Sequence, residues 1–128
     1  MDFNIEEGMR SINEIYVTEN DTASKLGSGD LDVFATPSMI ALMENTSKSV
    51  VERSLPRGFS TVGTEVSVKH IKATPLGMKV RCEASLEKIE GKKLIFKVDA
   101  WDEKGKIGEG THTRFIIDVV SFMNKVKL

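Results

Sequence analysis

Three side chains in this sequence are of types that enzymes use to move protons or hold developing charge. Thr36 precedes Pro37, Glu44 interrupts a mainly apolar segment, and His70 lies at the end of an alternating segment. An imidazole titrates near pH 6.5 and can transfer protons at neutral pH. Each residue also has an ordinary interpretation, as a helix cap, a solvated glutamate or a hydrogen-bonded strand histidine. From spacing alone, the ordinary interpretations are favoured.

Thr36-Pro37 is also typical of a helix start, since threonine can cap free N–H groups and proline suits the first helical turn. Thr36 would then lie beside the unpaired N–H groups of Ser38 and Met39. Such groups can stabilise an oxyanion, so the capping and catalytic roles of Thr36 can coexist.

Three further residues are candidates for a site. Gly63 can serve close packing or admit a substrate to the backbone, and the sequence does not decide between the two. His112 and Arg114 share one strand face by period two, either as a site pair or as a solvated edge. A structural role is favoured for His112.

One helix and five strands must position these residues. Apolar residues at helical spacing predict a helix from Thr36 to about Arg53. Residues 9–18, with a β-leaning centre at 12–17, predict a first strand, and a loop follows over residues 25–30. The later strands are predicted over residues 60–70, 80–86, 94–100 and 106–119. Turns separate them, including a type I turn over Thr74 to Gly77.

Alternation in the strand from Ser60 to His70 places His70 and Gly63 on opposite faces. The order of elements indicates an α+β fold with an antiparallel sheet against one long helix, in a single domain over residues 1–128. The sheet has two edges and one helix cannot cover its apolar face, so we expect a homodimer, with a higher oligomer left open.

Composition excludes several function classes. Lys and Arg number 18 against 19 Asp and Glu, a net charge of −1, which argues against nucleic-acid or membrane partners. The single cysteine, Cys82, and the lack of zinc-ligand spacing predict no disulfide and no metal. No apolar run reaches the roughly 20 residues of a membrane span, and the amino terminus is acidic, so we expect a cytoplasmic protein. We expect no cofactor.

Several short motifs occur together and in order between about Gly8 and Val119. They are Val33-Phe34-Ala35-Thr36-Pro37, Leu42-Met43-Glu44, Gly63-Thr64-Glu65, His70, Ala73-Thr74-Pro75, Gly77 and Gly110-Thr111-His112-Thr113-Arg114. The set resembles fluoroacetyl-CoA thioesterase and its relatives. The resemblance implies a hotdog fold, in which the sheet wraps the long helix and two subunits pair, with acyl-CoA bound near their interface.

The resemblance also implies roles for individual residues. The family's catalytic threonine, glutamate and histidine fall on Thr36, Glu44 and His70, its glycine beside the acyl group on Gly63, and an arginine of the active-site network on Arg114. The expected activity is hydrolysis of an acyl-CoA to free acid and CoA. A hotdog hydratase or dehydratase and a non-catalytic acyl-CoA-binding module are the alternatives.

Two features qualify the implied site. The fluoroacetate-specific enzyme has a longer segment with phenylalanines that close over the acyl group, whereas this chain has only the short polar segment 27–32. The sequence therefore does not identify the acyl group of the substrate. Thr36 and Glu44 are eight residues apart, a rise of roughly 12 Å along a helix, so we expect them to meet across a dimer or through substrate.

Overall fold

The computed structural model describes residues 3–127, which form one antiparallel sheet around a long helix. The strands lie side by side in the order β1-β3-β4-β5-β2, so β1 and β2 form the two edges. The elements are β1 Arg10–Tyr16, α1 Ala23–Leu26, α2 Thr36–Glu52, β2 Phe59–His70, β3 Lys79–Glu90, β4 Lys93–Asp102, β5 Gly105–Asp118 and α3 Val119–Val126.

The predicted long helix is present as α2, and it ends one residue before the predicted Arg53. Its buried face packs against inward-facing apolar residues of β3 and β4, where Phe96 and Leu94 are fully buried. The buried residues of α2 are Met39, Leu42, Met43, Thr46, Ser47 and Val51. Burying such apolar side chains contributes about 1.5–3 kcal/mol each, which anchors the helix across the sheet.

The start of α2 differs from the prediction that Thr36 caps it. Ala35, in an extended conformation, is the residue before the helix, and no side chain caps the first turn. Thr36 is already helical, with Pro37 beside it. The capping interpretation of Thr36 was therefore wrong, and its hydroxyl is available for another partner.

The two faces of β2 also differ from the prediction. A β-bulge between Gly63 and Glu65 inserts Thr64 without a partner on β5. Gly63 pairs with Arg114 and His70 pairs with Gly108, both on alternate positions of β5 that face the helix. The extra residue brings Gly63 and His70 to the same face, whereas strict alternation predicted opposite faces.

Other local predictions need smaller corrections. The first strand, Arg10–Tyr16, lies within the predicted segment 9–18. Residues 23–26 form α1, so the predicted loop over 25–30 starts as helix. The turn after β2 involves Pro75 to Met78, with Gly77 third at φ 91°, so it resembles type II rather than the predicted type I. Helix α3 was not predicted, and the last strand ends at Asp118, one residue before the predicted Val119.

Edge strand β2 is the more open of the two edges. Its central residues 63–67 are all exposed, including Val66.

No helix of the described residues has the length and apolarity needed to cross a membrane.

Candidate active site

Thr36 and His70 form a hydrogen-bonded pair where the start of α2 meets the end of β2. The distance from Thr36 Oγ1 to His70 Nδ1 is 2.8 Å. The imidazole packs edge-on against the buried ring of Phe34, with centroids 6.4 Å apart. A hydroxyl in contact with an imidazole can serve as an activated nucleophile or as a hydrogen-bond donor beside a base.

The surroundings of His70 favour its neutral form. Burial lowers the pKa of His70, and the backbone of Lys72 only partly opposes that shift. The second ring nitrogen, Nε2, is shielded from solvent and has no hydrogen-bond partner within residues 3–127. A neutral imidazole at neutral pH can accept a proton, so His70 is suited to act as a base.

A cavity of about 340 Å³ opens beside this pair. Its walls are segments 33–36 and 70–73, together with Ala23 and Ser28 from the region of α1. Main-chain hydrogen bonds from Ala23 to Val33 and from Ser24 to Leu31 hold the short segment of 27–32 against this wall. Segment 27–32 therefore forms part of the cavity wall, through Ser28.

Of the two predicted oxyanion donors at the start of α2, one is occupied. The Met39 N–H donates to the Ala35 carbonyl at 3.0 Å. Ser38 remains the candidate donor in that turn.

Glu44, Gly63, His112 and Arg114 form a second cluster. The Arg114 guanidinium donates from Nε to Thr61 Oγ1 at 2.8 Å and from Nη2 to the Thr61 carbonyl at 2.8 Å. Arg114 Nη1 lies 3.1 Å from His112 Nε2 and 3.9 Å from Glu44 Oε2. The predicted pair of substrate-binding residues, Gly63 and Arg114, thus lies with the predicted catalytic Glu44.

His112 is part of this network rather than a solvated edge residue, since it is 1% exposed. Its Nδ1 lies 2.8 Å from the Glu65 carbonyl, which can only accept, so Nδ1 carries the proton and Nε2 accepts from Arg114. Burial lowers the pKa of His112, opposed by its hydrogen bond to Glu65, while the positive charge of Arg114 lowers it further. Burial likewise lowers the pKa of Arg114.

Gly63 is required by the packing of this cluster. A Cβ at position 63 would lie 2.9 Å from Glu44 Oε2, 2.9 Å from His112 Cε1 and 3.2 Å from Arg114 Nη1. All three distances are too short for ordinary contact. The absence of a side chain at Gly63 leaves the space in which the carboxylate of Glu44 approaches Arg114.

The Thr36–His70 pair and the Glu44 cluster are separate. Among residues 3–127, no hydrogen bond or ion pair joins Glu44 to Thr36 or His70. The separation agrees with their eight-residue spacing on α2. Thr36 with His70 and Glu44 with Arg114 are therefore two half-sites on one face of the sheet.

The remaining reactive groups do not extend the site. Cys82 is fully buried, and burial raises the pKa of its thiol to about 11, so it is not a thiolate nucleophile. No group of three or more His, Cys, Asp and Glu residues in the described part of the chain is arranged to hold a metal ion.

Comparison with known proteins identifies the family. The sequence model of the family described as fluoroacetyl-CoA-specific thioesterase matches residues 17–120. The fluoroacetyl-CoA thioesterase of Streptantibioticus cattleyicolor is 38% identical over 96 residues, which cover 75% of this chain and 69% of that protein. The chain belongs to the fluoroacetyl-CoA-specific thioesterase family. It is thus a thioester hydrolase, as predicted.

Solved structures confirm the hotdog fold of this family member. A mutant of the fluoroacetyl-CoA-specific thioesterase FlK, in complex with fluoroacetate and CoA, superposes with a TM-score of 0.88 at 32% identity, covering 92% of this chain and 99% of that one. A thioesterase superfamily member from Thermus thermophilus gives a TM-score of 0.89 at 29% identity, covering 96% and 91%.

Proposed function

We propose that this chain is an acyl-CoA thioesterase whose hydrolytic centre consists of Thr36, Glu44 and His70. The observation that carries the proposal is the 2.8 Å contact between Thr36 Oγ1 and His70 Nδ1 at the wall of a cavity. Family membership supports acyl-CoA as the substrate class. A reducing, cytoplasmic location suits the single buried cysteine.

In the proposed reaction, water is added across the thioester. The carbonyl oxygen lies near the start of α2, where Ser38 N–H and the helix dipole stabilise developing negative charge. The carbon–sulfur bond breaks, the acyl group leaves as the free acid, and the CoA sulfur takes a proton to leave as the thiol. His70 takes the proton from the attacking group and returns it to the leaving sulfur.

Two routes fit the Thr36–His70 contact. If Thr36 donates to Nδ1, His70 can activate Thr36 as the nucleophile, and an acyl-enzyme forms. If His70 donates from Nδ1, Thr36 accepts and Nε2 is the unprotonated nitrogen, which activates water only when that water enters with the substrate, because Nε2 is shielded from solvent. Rapid quenching followed by mass measurement separates them, because only the first adds an acyl group to Thr36.

We further propose that the complete centre forms between two copies of the chain, with Glu44 supplied by one and Thr36 and His70 by the other. The open centre of β2, at residues 63–67, is the edge that we expect to pair. If two β2 strands pair antiparallel about Ser67, and the bulged Thr64 takes no position of its own in the ladder, Gly63 lies opposite His70 of the partner subunit. That register brings the two half-sites together.

A complementation experiment tests this arrangement. Thr36→Ala and Glu44→Gln chains, each inactive, are mixed under conditions in which subunits exchange. If Glu44 acts across the interface, each mixed dimer has one intact centre, and random mixing restores roughly a quarter of wild-type activity. The control pair, Thr36→Ala with His70→Ala, should restore none, because these residues share a half-site. No recovery in the first mixture, with exchange demonstrated, contradicts the shared centre.

The activity itself is tested by thiol release from acyl-CoAs ranging from acetyl to long-chain and aryl, with wild type and His70→Ala. We expect turnover of at least one thioester by wild type and a fall of about 100-fold or more in the variant. Hydration of an enoyl-CoA without thiol release would indicate a hydratase. Binding without turnover, unchanged in His70→Ala, would indicate a binding module.

A further inference from the structure

Asp102, at the end of β4, carries a buried carboxylate with more partners than its turn requires. Oδ1 accepts from the N–H groups of Lys104 at 2.8 Å and Gly105 at 3.1 Å, which closes the turn between β4 and β5. The same carboxylate accepts from Lys72 Nζ at 2.8 and 3.1 Å and from Thr74 Oγ1 at 2.9 Å. The Asp102 side chain is only 1% exposed.

The two side-chain partners belong to the segment that follows His70. Lys72 lies two residues after His70 and lines the cavity beside the Thr36–His70 pair. The carbonyl of Thr74 accepts the N–H of Phe34 at 2.9 Å, two residues before Thr36. One carboxylate is therefore connected to the backbone on both sides of the pair, through Lys72 on the histidine side and Thr74 on the threonine side.

These connections matter because residues 72–76 lie outside the strands, and their main-chain contacts with the rest of the chain are those of Thr74 and Pro75 with segment 33–34. The ends of the segment are held separately, by a hydrogen bond from Ile71 to β5 and by bonds of residues 77–78 with Val17. Thr74 is fully buried, so its hydroxyl has no water to replace Asp102. A displacement of about 1 Å at a reacting group can lower a rate by roughly 100-fold.

We propose that Asp102 is a positioning residue of the hydrolytic centre, which fixes the distance between Thr36 and His70 through Thr74 and Lys72. The inference rests on the proposed function of that pair. Asp102 acts through these neighbours and does not itself touch the thioester. The competing interpretation is that Asp102 only closes the β4–β5 turn.

The negative charge of Asp102 strengthens its hydrogen bonds to Lys72 and Thr74. Burial by itself would raise the pKa of Asp102, but the hydrogen bond from Lys72, those from Lys104 and Thr74, and the charge of Lys72 together hold the pKa below its usual value. A carboxylate that stays charged accepts shorter and stronger hydrogen bonds than a neutral group.

Thr74→Val is the decisive variant, because it keeps the shape of the side chain and leaves the two turn bonds to Lys104 and Gly105 intact. We expect kcat to fall by about 10- to 100-fold with KM changed less than about threefold. In the substrate-free protein, we expect the pKa of His70, followed by NMR, to rise towards 6.5 as displacement of the segment after β2 exposes the imidazole, because burial is what lowers that pKa. Lys72→Met removes the contact between Lys72 and Asp102, and it should shift the pKa of His70 in the same direction.

Thr46→Val is the matched control, since Thr46 is fully buried and its hydroxyl bonds the Leu42 carbonyl within α2. It should lose stability without shifting the pKa of His70. An unchanged His70 pKa and unchanged kcat in Thr74→Val would overturn the inference, as would a loss of kcat that only follows loss of folded protein. The NMR readout needs no turnover, so full activity of Thr36→Ala and His70→Ala would refute the proposed function separately.

Discussion

Replacing Gly63 by alanine should damage the half-site of Glu44 and Arg114 while leaving the fold intact. The new Cβ would lie 2.9 Å from both Glu44 Oε2 and His112 Cε1, about 0.5 Å short of the 3.4 Å at which ordinary contact begins. His112 and Arg114 are buried and held by hydrogen bonds, whereas the Glu44 side chain is 42% exposed. Glu44 is therefore the group that moves, away from Arg114.

The magnitude follows from two opposing contributions. Overpacking of this size costs about 1–3 kcal/mol. Alanine in place of glycine restricts the unfolded chain and returns about 0.4–1 kcal/mol, since Gly63 does not have a positive φ. We expect a net loss of about 0.5–2 kcal/mol in the free energy of unfolding, a fall in Tm of roughly 2–8 °C. Displacement of Glu44 should lower kcat/KM by about 10- to 100-fold.

The assay combines thiol release with thermal unfolding in a cycle of four proteins: wild type, Gly63→Ala, Glu44→Gln and the double variant. If Gly63→Ala acts by moving Glu44, it should lower kcat/KM much less in the Glu44→Gln background than in wild type. Additive effects on kcat/KM would refute the link to Glu44. Wild-type Tm and activity in Gly63→Ala would refute the packing argument itself.

Three further predictions concern the same residues. Thr36→Val should lower kcat by about 100-fold or more while Thr36→Ser keeps most of it, as thiol release will show, because only serine keeps the hydroxyl that contacts His70. Arg114→Lys should destabilise the protein by about 2–4 kcal/mol in denaturant unfolding, since one ammonium cannot replace the paired bonds to Thr61. Burial lowers the pKa of His70 and of His112, so the unfolded chain binds more protons below about pH 6.5, and the free energy of unfolding should fall as pH drops through that range. A pH series of unfolding curves checks the sign, and a rise towards low pH would contradict it.

The sequence was sufficient for the long helix and for the four strands after it, because apolar residues repeat at helical spacing in α2 and alternate in β3 and β4. It was insufficient for the two faces of β2, since a single extra residue at Thr64 reverses every later side chain. No residue type in that stretch demands a bulge. The bulge follows from how β2 pairs with β5, which is a long-range property.

The candidate site shows the same limit. Family resemblance singled out Thr36, Glu44 and His70, and the structure brings Thr36 and His70 into contact but leaves Glu44 elsewhere. Asp102 carried no signal, since an aspartate before a glycine-containing turn has an ordinary explanation. Its link to the pair depends on a buried contact with Thr74, which no spacing rule encodes.

The Thr36–His70 contact exists at a cost to stability, and that cost favours a functional explanation. A threonine one residue earlier could cap α2, and lack of a cap costs about 1 kcal/mol. Nε2 of His70 is buried and has no hydrogen-bond partner among residues 3–127, and a buried polar atom left without one costs about 1–3 kcal/mol. A substrate, a water molecule or a group from a second copy that binds Nε2 would recover the second amount. Both costs fall on the residues that line the cavity, where proteins commonly accept lower stability in return for a prepared reaction geometry.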